Sequence, residues 1–484
     1  MSQRPNPTIQ NFTRNFNPSD FSGPGYAAEV HSEMESANPH LIHASPQAAS
    51  LIGLDQAQIA TPEFADFFCG KTHPEKLTAS VYSGHQFGSY VPQLGDGRAL
   101  SYGVVESPEG PLEIQLKGAG KTPYSRFGDG RAVMRSSIRE YLCSEAMAAL
   151  GIPTTRAVSV IGTGERVFRE TIERGAVVAR LAPCFIRFGH FEYFAHTGQP
   201  EKLRELADLV IANHFPQFTA QDYAAFFREV CERTARLMAQ WQAVGFAHGV
   251  MNTDNMSILG LTIDYGPFGF MDAYEPMLIC NHTDHSGRYA FARQPSVGLW
   301  NCQALAAALA GLVESADLEA GLKAYEPAYQ NAALPLMRAK FGLTDKAHDK
   351  LIPEAFQLMA TAKVDFTQSF RRLSHLDQDD AAFLIADFGN EGQAFEDWLR
   401  RWQETPPDFA GMRKVNPNFV LRNWVAETAI RSVEDKGDLE MIDRIFRCVT
   451  NPFDDKPASD NPDDIRFAGP PPESLRGLEV SCSS

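Results

Sequence analysis

A chain of 484 residues exceeds the size at which a single hydrophobic core keeps growing, so two lobes or domains are expected. Its hydrophobic share of 44% and charged share of 21% are ordinary for a folded protein and exclude a disordered class. With 44 Lys and Arg against 60 Asp and Glu, the net charge of −16 opposes binding to nucleic acid.

The sequence predicts neither an exported nor a membrane-bound protein. Arg4 and Arg14 are not followed by the apolar segment that a secretory signal requires. The longest apolar runs, such as residues 304–313, are shorter than the roughly 20 residues that span a bilayer. We therefore expect a cytoplasmic protein with no membrane and no nucleic-acid partner. The oligomeric state leaves no signal in the sequence, and a monomer is the expectation.

The N-terminal part of the chain is predicted to be an irregular arm followed by a β-rich lobe. Residues 1–60 are rich in Asn, Pro and Ser, which favours an arm with short helices. The β-rich, nucleotide-binding lobe is predicted at residues 61–189, because residues 80–120 alternate glycines with short apolar runs, which is typical of strands joined by tight turns. One helix is expected in this lobe, because Arg135–Leu150 has apolar residues at helical spacing and stops at Gly151. The later strands are predicted at Ala157–Ile161, Val167–Thr171 and Ala176–Leu181.

The C-terminal part is predicted to be mainly helical. Residues 190–450 form this helical lobe, and their loop-rich segment 246–293 is where chemistry is expected, since functional groups concentrate on loops. Residues 451–484 are acidic and Pro-rich, which favours an extended surface tail that ends near Cys482. The helices are predicted at Lys202–Asn213, Ala220–Val244, Cys302–Leu312 and Pro353–Ala362.

The first glycine-rich segment, Gln93–Ala99, has the chemistry of a phosphate-binding loop. Gly95 and Gly97 let backbone N–H groups approach a phosphate, and Arg98 adds a charge-assisted donor. A hairpin turn is the alternative, because Asp-Gly is a common turn pair, and for this segment alone the turn explains the pattern better.

Two further loops favour phosphate binding over the hairpin turn. The run KGAGK begins at Lys117, at the end of a predicted strand, and the run RFGDGR contains Asp129 and Gly130. Closely spaced glycine loops with cations indicate a polyphosphate cradle, although neither the Walker A nor the Rossmann spacing is present. Lys117 precedes a helix that carries Glu140, the placement of the Lys–Glu pair that holds a nucleotide phosphate in kinases. Exposed charges are the alternative for both residues.

The strongest signal is the run HGVMNTDN at 248–255, followed by DYG at 264–266. His248 and Asn255 keep the spacing of the kinase motif HRDxxxxN, and Asp264, expected on a strand, stands where DFG supplies a metal-binding carboxylate. Asn255 and Asp264 suffice for Mg²⁺, because phosphates and water complete its coordination. Val250 occupies the position of the kinase base and cannot accept a proton.

The missing base leaves the reaction open. Asp254 is the nearest acid, and we predict that it takes over as the base; a carboxylate that caps a turn is the alternative. The chain is therefore either catalytically inactive or carries out another reaction with the same metal site.

These motifs resemble the selenoprotein O family of protein adenylyltransferases, and the resemblance extends over most of the chain. It rests on SGHQFG at 83–88, QLGDGRA at 93–99, QLKGAGKTPYSRFGDGRAVMRSSIREYL at 115–142, HGVMNTDNMSI at 248–258 and DYGPFGFMD at 264–272. The resemblance implies an α+β, protein-kinase-like fold of two lobes, in which ATP binds in a flipped orientation. AMP is then transferred to a Ser, Thr or Tyr hydroxyl of another protein, and pyrophosphate leaves.

The resemblance also implies roles for individual residues. Asp254 corresponds to the proton acceptor, and Glu140 to the partner of the lysine. Arg180 and Arg187 correspond to two arginines that hold the outward phosphates. The metal ligands, for Mg²⁺ or Mn²⁺, are Asn255 and Asp264. The residues that match the nucleotide-binding loops are Gly95, Gly97, Arg98, Lys117, Asp129 and Gly130.

The eight cysteines contain no CxxC pair, so neither a zinc ribbon nor a thioredoxin motif is present. The resemblance implies that Cys482 corresponds to the C-terminal selenocysteine of some members and that it bridges to Cys280, after the DYG motif. In a reducing cytoplasm such a disulfide is regulatory rather than permanent. Thiols without this role are the alternative.

Protein adenylylation is therefore the predicted activity. A protein or small-molecule kinase and a non-catalytic ATP-binding scaffold are the alternatives, the latter because of Val250. UTP with Mn²⁺ stays an alternative donor, because contacts to phosphates do not read the base. The AMP product rests on the resemblance, with Val250 as the local sign that ordinary phosphate transfer has been abandoned.

Overall fold

A computed structural model describes residues 25–30, 38–72, 77–108 and 110–478. Within these ranges, the N-terminal half forms one antiparallel sheet, in the order β1-β3-β5-β6-β9-β8-β2, with β4 paired to β3 and β7 to β9. The strands are β1 (Ala27–Val30), β2 (His40–Ala44), β3 (Leu77–Gln86), β4 (Ser89–Gly95), β5 (Ala99–Ser107), β6 (Gly110–Lys117), β7 (Ala132–Val133), β8 (Arg156–Phe168) and β9 (Ile172–Ala182).

Helices cover both faces of this sheet. Because side chains alternate along a strand, Val177 and Ala179 of β9 face one side, whereas Val178 faces the other. The first side packs on the helices α1 (Pro46–Leu51), α2 (Gln56–Ile59) and α3 (Pro62–Phe68). The second side packs on α4 (Met134–Ala149). Arg180 shares the parity of Val178, so β9 turns it toward α4.

Strand register brings the start of β5, the end of β6 and the middle of β9 together. Lys117, the last residue of β6, is paired with Ala99 of β5 and with Val178 of β9. Gln115, two residues earlier, is paired with Arg180. Because residues two apart on a strand point to the same face, Gln115 and Lys117 both lie on the α4 side of the sheet. The charged positions that the sequence singled out are therefore neighbours in the sheet.

The C-terminal half is mainly helical, and no helix within the described ranges is long and apolar enough to cross a membrane. A two-stranded ladder, β10 (Phe246–Ala247) with β11 (Gly269–Phe270), frames the segment that carries His248 and Asp264. The helices are α5 (Phe188–His196), α6 (Pro200–His214), α7 (Tyr223–Val244), α8 (Gln294–Leu309), α9 (Ser315–Lys340), α10 (Leu351–Ala362), α11 (Phe366–Leu373), α12 (Ala382–Asp387), α13 (Gly392–Gln403), α14 (Phe409–Val415), α15 (Asn423–Lys436) and α16 (Glu440–Val449).

The predicted α+β class is confirmed, with an antiparallel sheet before the helical part. Several local predictions differ from the structure. The two strands predicted around Gly162 are one long strand, β8, whose ladder shifts register between Gly162 and Arg166. Asp264 was expected on a strand, but its segment makes only an isolated bridge, from Thr262 to Thr154.

The two ends of the chain are more regular than their composition predicted. The described part of the N-terminal arm contributes β1 and β2, which pair with β3 and β8. In the tail, Pro462–Ala468 forms a 3₁₀ helix whose buried Phe467 contacts the ring of Trp424. Asp464 in that helix is fully buried and accepts hydrogen bonds from Arg444.

Candidate active site

A cavity of about 400 Å³ lies between the sheet and the segment that follows β10. Its lining includes every nucleotide-, metal- and base-site residue that the sequence singled out: Gly95, Gly97, Arg98, Lys117, Asp129, Gly130, Glu140, Arg180, Arg187, Asp254, Asn255 and Asp264. Val250, at the position of the kinase base, also lines this cavity. Residues far apart in the chain therefore meet at one place.

Lys117, Glu140 and Arg180 form a buried charge cluster on the sheet side of the cavity. Lys117 Nζ donates to Glu140 Oε2 at 2.6 Å, and Arg180 Nη1 donates to Glu140 Oε1 at 3.0 Å. Burial lowers the pKa of Lys117, although Glu140 and Asp264 oppose that effect. Because both carboxylate oxygens of Glu140 are engaged, Glu140 fixes the positions of the two cations.

Asp264 receives three cations. Lys117 Nζ lies 3.3 Å and Arg180 Nη1 2.7 Å from Oδ1, and Arg187 Nη1 binds Oδ2. Burial alone would raise the pKa of Asp264, but Arg187, Lys117 and Arg180 outweigh it and hold this pKa well below its usual range. The backbone φ of Asp264 is +57°, a strained value that is typical of functional positions.

Arg187 joins this carboxylate to the segment 253–255. Its Nη1 donates to the backbone oxygen of Asp254 at 2.7 Å and to Asn255 Oδ1 at 3.3 Å. The backbone of Arg187 is fixed in turn, because its N–H donates to Nδ1 of buried His190 at 2.9 Å. Asn255 Nδ2 donates to the oxygen of Val250 at 3.1 Å, which leaves Oδ1 on the Arg187 side.

Asp254 lies in a 3₁₀ turn, Thr253–Asn255, at the cavity wall. Burial raises its pKa to about 6, an effect that Arg187 and Gln86 partly offset. Its Oδ2 accepts a hydrogen bond from Gln86 Nε2 at 3.3 Å. Its Oδ1 is buried and has no hydrogen-bond partner among the described residues. With its raised pKa and an Oδ2 that accepts only the hydrogen bond from Gln86, this carboxylate is suited to act as a general base.

His248 contacts the backbone next to Asp264. Its Nε2 lies 2.8 Å from the oxygen of Ile263, next to Asp264, and its ring stacks on Trp241. Burial lowers the pKa of His248, which favours the neutral ring. His248 does not line the cavity, so its contact with Ile263 supports Asp264 from outside.

The glycine loops pack on each other at the cavity mouth. Gly130 has a φ of +71°, and a side-chain carbon there would overlap the carbonyl group of Gly120. A side-chain carbon on Gly95 would lie 2.6 Å from the ring of Tyr124. Asp129 lies at the rim, where Arg169 lowers its pKa and binds it at 2.8 Å. Glycine is therefore required for close packing at both positions.

Some lining residues carried no sequence signal. Tyr124 and Arg169 line the cavity; Tyr124 lies in the run 115–142 without a predicted role, and Arg169 lies outside the motifs. Gln115 accepts from Arg180 and was not singled out, because a strand Gln is common. Their contacts arise from pairing between distant segments, which spacing along the chain does not reveal.

Cys280, one of the two cysteines of the predicted disulfide, does not line the cavity. Cys280 is partly exposed, its Sγ lies 3.4 Å from the oxygen of Ala247, and a side-chain carbon on Gly249 would lie 2.7 Å from this sulfur. Cys482 lies outside the described residues. The bridge between them stays a prediction.

Comparison with known proteins identifies the family. A family model described as "Protein adenylyltransferase SelO" matches residues 12–450. The chain belongs to the SelO family. A protein nucleotidyltransferase YdiU from Myxococcus xanthus is 47% identical over 477 residues, 95% of this chain and 96% of that protein. The YdiU protein of Thiobacillus denitrificans is 49% identical over 463 residues, 92% of this chain and 94% of its own. The resemblance and the class of protein nucleotidyltransferases are thereby confirmed for this SelO-family chain.

Proposed function

We propose that this SelO-family member transfers AMP from ATP to Ser, Thr or Tyr hydroxyls of target proteins. The observation that carries the proposal is the meeting of Lys117, Arg180 and Arg187 on Asp264 in one cavity, with Asp254 at its wall. Such a cluster fits a polyphosphate, and the carboxylate of Asp254 fits a hydroxyl acceptor beside it.

The cations bind the phosphates in this proposal. Arg180 and Arg187 are buried and Lys117 is partly buried, and burial strengthens their attraction for a phosphate because the local dielectric constant is low. Arg98 adds a fourth cation at the mouth, between Gly97 and β5. Arginines bind phosphate oxygens in a bidentate manner, so Arg180 and Arg187 are suited to the outer phosphates.

Asn255 and Asp264 are the proposed ligands of a divalent metal ion, Mg²⁺ or Mn²⁺. Their oxygens already share one cation, the guanidinium of Arg187, so this position fits a positive charge. Among the described residues, no group of three or more His, Cys, Asp or Glu is placed to hold a metal ion. A site of two protein oxygens therefore needs the phosphates of ATP to complete it. When bound, the ion would neutralise charge that develops on the phosphates.

The side chains of the protein carry out the other steps of the transfer. Asp254 accepts the proton of the attacking hydroxyl, whose oxygen forms a bond to the α-phosphorus of ATP. The bond between that phosphorus and the oxygen bridging to the β-phosphate breaks, and pyrophosphate leaves. Arg180 and Arg187 hold the negative charge that accumulates on the pyrophosphate. The adenine and ribose lie away from these cations, which corresponds to a flipped orientation of ATP.

A protein-kinase-like fold with lobes 61–189 and 190–450 belongs to the same proposal. Its support is the ion pair between Lys117 of β6 and Glu140 of α4, together with the metal-site pair Asn255 and Asp264. Val250 lines the cavity where the kinase base would stand, and the absence of a proton acceptor there argues against transfer of the γ-phosphate. We also propose that the protein is a cytoplasmic monomer.

Labelled nucleotides test this function. The protein is incubated with ATP labelled at the α or the γ position, and incorporation into the chain itself and into lysate proteins is measured. Label from the α position alone is expected, with a 5′-AMP adduct in the mass spectrum. Label from the γ position alone would establish a kinase instead. No label with ATP or UTP, with Mg²⁺ or Mn²⁺, would establish a scaffold.

A further inference from the structure

The tip of the hairpin formed by β3 and β4 is docked on the turn that carries Asp254. The N–H of His85 donates to Thr253 Oγ1 at 2.7 Å. The N–H of Phe87 donates to Tyr289 Oη at 2.9 Å, and Tyr289 donates to Asn252 Oδ1 at 2.7 Å. The hairpin tip is thus held at Thr253, the first residue of the turn, and through Tyr289 at Asn252, the residue before it.

The hairpin turn itself is strained. Phe87 has a φ of +51° and Gly88 a φ of +86°, which gives a two-residue turn with both residues in the left-handed region. A bulky aromatic residue rarely adopts this conformation. The side chain of Phe87 is also exposed, with 41% of its surface accessible. The hydrogen bond to Tyr289 therefore holds a conformation that the sequence of the turn does not favour.

Gly84 allows the hairpin to approach Asp254 closely. A side-chain carbon at Gly84 would lie 2.7 Å from Oδ1 and 2.9 Å from Cβ of Asp254. Gly84 has no positive φ that would require glycine, so the close approach is the reason for glycine here. The backbone of β3 forms a wall against one edge of the carboxylate.

Gln86 contacts the other oxygen. Its Nε2 donates to Asp254 Oδ2 at 3.3 Å, from the same hairpin that packs against Oδ1. We propose that Gln86 is a positioning residue, whose amide and hairpin orient the Asp254 carboxylate toward the hydroxyl of the acceptor protein. The inference rests on the proposed role of Asp254 as the proton acceptor.

The arrangement suits this role because a carboxylate oxygen has two lone pairs. Gln86 engages one lone pair of Oδ2 and leaves the second for the hydroxyl proton. A carboxylate that rotates freely about its Cβ–Cγ bond would spend less time in the reactive geometry, which lowers the rate rather than the affinity for ATP. Gln86 does not line the nucleotide cavity, so its loss is expected to leave nucleotide binding intact.

The test replaces Gln86 without changing its shape. Gln86→Met removes the N–H donor and keeps the side-chain length. Ser89→Ala is the control, because Ser89 is an exposed residue of the same hairpin, lies in none of the glycine loops and does not line the cavity. Wild type, both variants and Asp254→Asn are compared for AMP incorporation from α-labelled ATP with Mg²⁺. The values of kcat, of KM for ATP and of the melting temperature are measured.

A positioning role gives a specific pattern. For Gln86→Met, kcat is expected to fall about tenfold while KM for ATP and the melting temperature stay close to wild type. Ser89→Ala is expected to keep wild-type kcat. A rescue variant, Gln86→His, which restores an N–H donor, is expected to recover part of the lost kcat.

Other outcomes would overturn the inference in distinguishable ways. A Gln86→Met enzyme with wild-type kcat, or one whose KM rises while kcat is unchanged, removes the positioning role of Gln86. An equal loss in Ser89→Ala assigns the effect to the hairpin as a whole and not to the amide. Full activity in Asp254→Asn removes the proposed base, and no α-label in wild type removes the proposed function itself.

Discussion

At the scale of single residues, Arg187 connects the groups of the site. It contacts Asp264 and Asn255, the two proposed metal ligands, and the backbone of Asp254. A guanidinium and a metal ion compete for the same oxygens, so Arg187 must leave at least one of them when the ion binds. In the proposed function the phosphates of ATP would attract Arg187 away, so metal binding would depend on the nucleotide.

Removing Arg187 therefore exposes the metal ligands. In the absence of nucleotide, Arg187→Gln is expected to bind Mn²⁺ about tenfold more tightly than wild type, because Asp264 loses one of three neutralising cations. Electron paramagnetic resonance of free Mn²⁺ measures this affinity. Arg169→Gln removes a cation from the cavity rim, where it contacts Asp129, and should leave Mn²⁺ binding unchanged. Equal affinity in wild type and Arg187→Gln would contradict the competition.

The buried carboxyl group of Glu113 is expected to make the free energy of unfolding depend on pH. It is buried, with Ser101 Oγ donating to Oε1 at 2.5 Å and the Phe185 N–H to Oε2 at 3.1 Å. Burial raises its pKa from 4.5 to about 7. The folded state then keeps a proton that the unfolded chain has released, so stability falls as pH rises from about 4.5 to about 7. Above pH 7 the free energy of unfolding is expected to be about 3 kcal/mol lower than below pH 4.5.

Glu113→Gln removes this ionisation while keeping an acceptor oxygen. The variant is expected to melt at a higher temperature than wild type at pH 8, and the difference should shrink toward pH 5. Thermal unfolding followed by circular dichroism at both values measures this. Glu106→Gln, at an exposed position on β5, is the control and should show no such pH-dependent gain. A difference that grows toward pH 5 would contradict the assignment.

At the scale of structural elements, the conformation of each glycine loop is set by its packing on another loop. Gly130 combines a left-handed backbone with a close approach to Gly120. Gly151, at the end of α4, has a similar φ of +75° but open space around it. The two positions therefore separate the cost of the backbone conformation from the cost of a steric overlap.

The paired substitutions use this difference. Gly151→Ala is expected to cost about 1 kcal/mol of stability through backbone strain alone and to leave ATP affinity unchanged. Gly130→Ala is expected to weaken ATP binding at least about tenfold, because the loop must move away from Gly120 at the cavity mouth. Calorimetric titration with ATP and thermal unfolding measure both effects. Unchanged ATP affinity in Gly130→Ala would exclude the loop from the binding site.

The same elements explain how much the sequence predicted. The spacing of glycines and cations predicted which residues would gather, since Lys117, Glu140 and Asp264 occupy fixed positions on regular elements or in known motifs. The three-way contact of Arg187 was not predictable, because it depends on an isolated backbone bridge between Arg187 and Ser257. The role of the hairpin at Gln86 was also missed, because its partner Asp254 lies 168 residues away.

The two halves of the molecule are joined through α4, the helix that carries Glu140. Arg139 of this helix is buried, and its Nη2 donates to the backbone oxygen of Phe268 at 3.1 Å and to Asn423 Oδ1 at 3.2 Å. Its guanidinium also lies 4.5 Å from the centroid of the Phe268 ring. Since Phe268 follows the DYG motif, Arg139 links α4 to the segment that carries Asp264.

Arg139→Met tests this link across the whole molecule. The substitution leaves the Phe268 oxygen without its donor, so it is expected to lower the free energy of unfolding by about 2 kcal/mol and to weaken ATP binding. Arg135→Met, one turn earlier and paired with Glu173 at a partly exposed position, is expected to cost less than about 1 kcal/mol. Urea unfolding and ATP titration measure the two effects. If Arg139→Met loses stability but binds ATP as wild type does, then α4 joins the halves without positioning Glu140. Equal losses in the two variants would assign the effect to charge on α4 rather than to the contact with Phe268.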